Sequence, residues 1–98
     1  MRWLYHVKVA GPLPDPYAPP SLAQEGFVHC SYLPAVAESA RLYFPPDAVL
    51  EILKIDPRGL DVAVAQTPRG PMPHVRQAIP ARAIVARLHL TDLPTQTD

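Results

Sequence analysis

An α+β domain is what this sequence predicts, and three observations carry the prediction. Several short stretches alternate or run apolar as strands do, one stretch repeats its apolar residues at helical spacing, and no regular βαβ array appears. The 98 residues fit one domain. A chain of this size buries about two-thirds of the surface its unfolded form exposes, enough for a single core. We place the domain at residues 1–90 and expect 91–98 to be a flexible polar tail.

Residues 3–9 alternate, with Trp3, Tyr5, Val7 and Val9 able to face a core and Leu4, His6 and Lys8 turned away. Gly11 ends that strand. Pro12, Pro14, Pro16, Pro19 and Pro20 follow, and each fixes φ and removes a backbone donor. Residues 12–20 are therefore expected to form a stiff, partly polyproline-II loop, with Tyr17 either in a pocket wall or on a surface connector. Residues 27–31 read as a short strand. Alternation puts Phe27, His29 and Ser31 on one face and Val28 and Cys30 on the other, so an imidazole and a hydroxyl stand roughly 7 Å apart.

Leu33, Val36, Ala37, Ala40, Tyr43 and Phe44 then recur at helical spacing. Pro34 fits the first turn, and Pro45-Pro46 stops the helix. Ser31 stands where an N-cap would stand, so capping competes evenly with a ligand role for its hydroxyl. Residues 49–55 form a strand carrying Glu51 and Lys54, and Asp56-Pro57-Arg58-Gly59 turns. A second extended piece covers 62–66, a loop covers 67–71, and a closing strand runs over 84–90.

Nine basic and nine acidic residues cancel, so bulk nucleic acid and anionic membranes are not expected partners. Arg58, Arg69, Arg76, Arg82 and Arg87 all fall in the second half, where one or two could still meet a phosphate. Cys30 is the only cysteine, which excludes an intrachain disulfide and points to a reducing compartment. The first residues lack a signal-peptide apolar run, and no stretch approaches the ~20 apolar residues of a membrane span. A cytoplasmic protein is the expectation.

Four histidines are the chemistry-bearing residues: His6 and His29 on strands, His74 after Pro73, and His89 near the last strand's end. His89 reads as an edge residue. No metal is expected: His29 and Cys30 project to opposite faces, and no Cys-x-x-Cys or His-x-x-x-His spacing occurs. Cys30 faces the core side, where a thiol stays protonated and inert. A Gly-x-Ser-x-Gly elbow, a Gly-x-Gly-x-x-Gly turn and a phosphate-binding P-loop are all missing, and the carboxylates show no diagnostic pairing.

Tyr5-His6-Val7, Pro19-Pro20-Ser21-Leu22, the run from Glu25 through Gly26-Phe27-Val28-His29-Cys30-Ser31, Ile55-Asp56-Pro57 and Pro73-His74 together resemble domain of unknown function family 952. The resemblance covers nearly the whole chain, and the central Gly-Phe-Val-His-Cys-Ser block is its specific part. It implies an ADP-ribosyltransferase-like fold, in which two small bent sheets clasp a cleft, with relatives that use NAD. Carried over, it makes His6, His29 and Ser31 the candidate catalytic residues. The same resemblance assigns ligand contact to His6, Phe27, His29, Ser31 and His74, and in the transferase reading Arg76 would clamp a phosphate. Three departures stand out. Gln66 occupies the position where a carboxylate is expected, Pro73-His74-Val75-Arg76-Gln77 lacks the family's tyrosine and glycine, and the proline-rich loop replaces a segment that is often helical. An amide cannot stabilise developing positive charge as a carboxylate does. The expected function is thus binding of NAD, ADP-ribose or a related small nucleotide without turnover. An active ADP-ribosyl or nucleotide transferase is the first alternative, and a protein-interaction domain with structural histidines the second.

Overall fold

The computed structural model describes residues 1–94. Six strands and two α-helices follow in the order β1 (Leu4–Val9), α1 (Pro20–Glu25), β2 (Val28–His29), α2 (Val36–Tyr43), β3 (Leu50–Ile55), β4 (Val62–Thr67), β5 (Gly70–Val75) and β6 (Ile84–Leu88). The strands make two three-stranded antiparallel sheets, ordered β1-β3-β6 and β2-β5-β4. A single bridge joins them: Tyr5 N–H donates to Ser31 O at 2.9 Å, and Ser31 N–H donates to Tyr5 O at 2.7 Å. The α+β expectation holds, with α2 the main helix. No helix among the described residues is long and apolar enough to cross a membrane.

Strand β1 is covered on both faces, which corrects the one-sided reading of residues 3–9. Leu4 packs with Val28, Leu53, Ile55, Val75 and Ile79 between the sheets. Tyr5 packs on the other face with Leu33, Val36 and Ile52 beneath α2. His6 is buried too, while Val9 is 57% exposed. A fully buried side chain of this kind contributes roughly 1.5–3 kcal/mol, against about 0–1 kcal/mol for an exposed ion pair. These two clusters therefore hold the layers together.

Several local expectations change. The proline-rich stretch ends in a helix, α1, because Pro20 sits in its first turn, where a fixed φ suits and no donor is needed. Gly26 closes it in the left-handed region at φ 87°, its N–H bonding Leu22 O. The expected strand at 27–31 pairs with β5 through Val28 and His29, with one further bond from Cys30 N–H to Pro73 O, before Ser31 crosses to β1. Ser31 does not cap a helix: a 3-10 turn over Leu33–Ala35, holding Pro34, leads into α2, and neither has a side-chain cap bond.

The loop expected at 67–71 is two residues long. Thr67 pairs with Gly70, and β5 continues through Pro71 and Pro73 as the middle strand of its sheet. Proline is tolerated because of which neighbour it faces. In an antiparallel strand alternate residues direct their N–H and C=O to opposite neighbours. Pro73 O accepts from Cys30 N–H at 3.1 Å, whereas Arg76 N–H reaches Asp61 O, so odd-numbered residues of β5 face the short β2. The missing N–H groups cost that two-residue strand little, and the β4–β5 ladder stays whole. The last strand ends at Leu88; Leu90–Asp92 then form a 3-10 turn, and Leu93 packs on the second cluster. The rest of the expected tail, residues 95–98, lies outside the described residues.

Candidate functional site

A cleft of about 800 Å³ opens where the two sheets meet. Strand β1 supplies His6, β2 supplies His29 and the segment after it Ser31, the β4–β5 hairpin supplies Arg69, Met72 and His74, and α2 supplies Ser39 and Tyr43. Glu25, at the end of α1, also lines it. A concave, largely apolar space with a few convergent polar groups is the usual form of a small-molecule site.

His6 forms the buried edge of this cleft, and both its nitrogens are engaged. Nδ1 lies 2.6 Å from His29 O. A carbonyl only accepts, so Nδ1 carries the proton. The Nε2 lone pair then accepts from Tyr17 OH at 2.8 Å. Burial, opposed in part by the bond to His29, pushes the imidazole down to about 4. Tyr17 reaches it from the core side, pinned by paired main-chain bonds with Ile79, and burial raises its phenol to about 12. His6 is thus a neutral strut tying β1, β2 and the proline-rich loop together. The ribose-holding or catalytic role expected of it would need a nitrogen to spare, and in this structure both have protein partners.

His29 and His74 differ from it. They are cross-strand partners, and alternation turns both rings to the cleft face. The His74 ring stacks on Phe27 at 3.8 Å between centroids and 11° between planes. His29 meets both rings edge-on, at 4.6 Å from Phe27 and 5.8 Å from His74. His29 Nε2 lies 2.8 Å from Glu25 Oε2 and donates to it, while Nδ1 has no hydrogen-bond partner among the described residues. Burial, and next the neighbouring His29, hold the His74 imidazole below its ordinary value, so it is neutral near pH 7. Phe27 backs the His74 ring rather than lining the cleft itself.

Ser31 and Ser39 lie deepest, 4% and 7% exposed, with their hydroxyls 2.8 Å apart. Arg69 closes over them from the hairpin turn. Its Nη2 donates to Ser39 Oγ at 2.8 Å and its Nε to Glu38 Oε1 at 2.5 Å. The Arg69 guanidinium holds the Glu38 carboxyl below the usual carboxylate range.

Of the residues singled out in the sequence, His29, Ser31 and His74 converge here with Phe27 behind them. Arg76 does not: its guanidinium pairs with Asp61 at the hairpin's open end, away from the cleft lining. Gln66 pairs with Pro71 on the sheet face opposite Met72 and His74, so the expected acid position is outside the cleft. Cys30 is buried as expected, its thiol pushed up to about 12 by burial. Sequence reasoning missed Glu25, Ser39 and Tyr43 as site residues and counted Arg69 only among five arginines that could meet a phosphate; the i,i+4 spacing of Glu25 and His29 was the one local sign. Among the described residues no group of three or more His, Cys, Asp or Glu side chains is placed to hold a metal.

The family model for "Protein of unknown function (DUF952)" matches residues 9–87. The chain belongs to the DUF952 family. No curated protein matches it. Among solved structures, this DUF952 chain is similar to protein CC0527 from Caulobacter crescentus, at 16% identity and a TM-score of 0.73. The match covers 89% of this chain and 84% of that one. A double mutant of CC0527 gives the same values. At that identity the likeness shows a shared fold and nothing of ligand or activity.

Proposed function

We propose that the cleft binds a small nucleotide, NAD, ADP-ribose or a related molecule, on an ADP-ribosyltransferase-like scaffold. One observation carries the reading. His74 and His29 stand on one wall of the 800 Å³ cleft with Phe27 stacked behind His74, and among the described residues His29 Nδ1 and both His74 nitrogens have no hydrogen-bond partner. Neutral imidazole both donates to and accepts from vicinal hydroxyls, and the apolar lining suits a planar base. Two small sheets joined at a single bridge, with the cleft at the joint, agree with the scaffold. Binding without turnover is favoured because His6 is fully engaged and Gln66 lies outside the cleft.

Titration with NAD and ADP-ribose tests this. Amide shifts are expected at Phe27, His29 and His74, and His74→Ala should weaken ADP-ribose by about tenfold, the loss of a stacking and hydrogen-bonding ring. Unmoved resonances at millimolar ligand sink the reading. A transferase has one observation in its favour, the Glu25 carboxylate beside His29 within the cleft. Release of nicotinamide from NAD, lost in Glu25→Gln while ADP-ribose still binds, would establish turnover instead.

A further inference from the structure

The floor of the cleft has a surplus of hydrogen-bond donors. Ser31 and Ser39 each own one O–H, and their hydroxyls share a single bond. Arg69 Nη2 donates to Ser39 Oγ as well. Whichever serine donates to the other, one O–H has no acceptor among the described residues, since neither hydroxyl meets another polar group. Arg69 adds to the surplus. Its N–H groups meet Glu38 Oε1, Ser39 Oγ, Ala35 O at 3.5 Å and Tyr43 OH at 3.4 Å, so one of its five is unused. The contacts to Ala35 and Tyr43 are long enough to yield to a better acceptor.

We propose that Ser31, Ser39 and Arg69 form a subsite for the phosphate oxygens of the ligand. The subsite rests on the reading of the cleft as a nucleotide site and names the part of the ligand held there. A phosphate accepts through several oxygens and donates nothing near neutral pH, which complements a hydroxyl and a guanidinium lacking acceptors. Charge favours it as well. The Arg69 side chain is 20% exposed and the Glu38 side chain 46%. Water therefore screens the Glu38 carboxylate more than the guanidinium. Serine hydroxyls held by burial need no reordering to receive the anion. Of the two arginines in play, this assigns the phosphate to Arg69 and not to Arg76.

Matched probes isolate the phosphate: adenosine, AMP and inorganic pyrophosphate, titrated into the full chain and followed by amide and Arg Nε resonances. AMP should bind about tenfold or more tightly than adenosine, the scale of a charge-assisted hydrogen bond. Pyrophosphate should shift Ser31, Ser39 and Arg69. Ser31→Ala and Ser39→Ala should shrink the ratio of AMP to adenosine affinity towards one; if either melts, the conservative variant Arg69→Lys must show the same loss of preference. Equal binding of AMP and adenosine overturns the subsite while the nucleotide reading stands. Pyrophosphate shifts without any adenosine or ADP-ribose binding leave the subsite and remove that reading. A preference for AMP that survives in the variants overturns the assignment to these residues, and silence from every probe overturns both.

Discussion

Protonating His6 in place would turn its Nε2 acceptor into a donor facing the Tyr17 hydroxyl, and would bury an imidazolium. Its folded pKa of about 4 lies below the ordinary 6.5. Between those values the unfolded chain binds a proton that the native chain does not. Stability from this group is therefore complete above pH 6.5 and lost as the pH falls through that window to about 4. The loss integrates to ~3 kcal/mol. Urea melts from pH 7 to 4 should show that decline in the wild type and a flatter profile in His6→Gln. Parallel profiles would mean that other groups carry the acid sensitivity. At this scale the sequence marked His6, His29, Ser31 and His74 by residue type. It did not reveal their partners, because a histidine with two bonds and one with none look alike in a string.

Strand β5 shows how an element can defeat its local signals. Pro71 and Pro73 argue against a central strand, yet their absent N–H groups face β2, which pairs through two residues only. The opposite parity is not free. Met72 pairs with Ala65 inside the β4–β5 ladder, so Met72→Pro removes a ladder hydrogen bond and should destabilise the domain by about 1–3 kcal/mol. Pro71→Ala should change the melting temperature by little, and a larger loss there than at Met72 would refute this parity argument. Sequence reasoning placed β1, β3, β4 and the start of β6 correctly because each is a patterned run of β-forming residues. It missed α1, whose six residues are too few to show helical periodicity, and it missed β5, whose fitness depends on the length of a neighbour. The hairpin also decides which arginine reaches the cleft. Arg76 lies six residues along β5 from the turn, roughly 20 Å at the rise of a strand, whereas Arg69 is at the turn itself.

Across the whole molecule, the cleft exists because two sheets meet at one bridge and separate beyond it. Arg69 is the main polar link from the hairpin of one sheet to the helix covering the other, through Glu38 and Ser39. Arg69→Ala should hasten amide exchange over residues 67–70 and leave the protection of β1, β3 and β6 as it was, because the apolar clusters hold those strands. Uniform loss of protection would show that the latch supports the whole fold.

Composition and pattern by themselves determined an α+β domain with a buried, inert Cys30, and the resemblance determined the family. Those properties are local or cumulative, so a linear reading reaches them. Tertiary structure alone decided that His6 is a strut, that His29 and His74 face an open cleft, and that Arg69 and Ser39 join Ser31 at its floor. Each of these depends on which groups distant in the chain come within hydrogen-bond distance. That is set by strand register and sheet order, and residue type does not encode it.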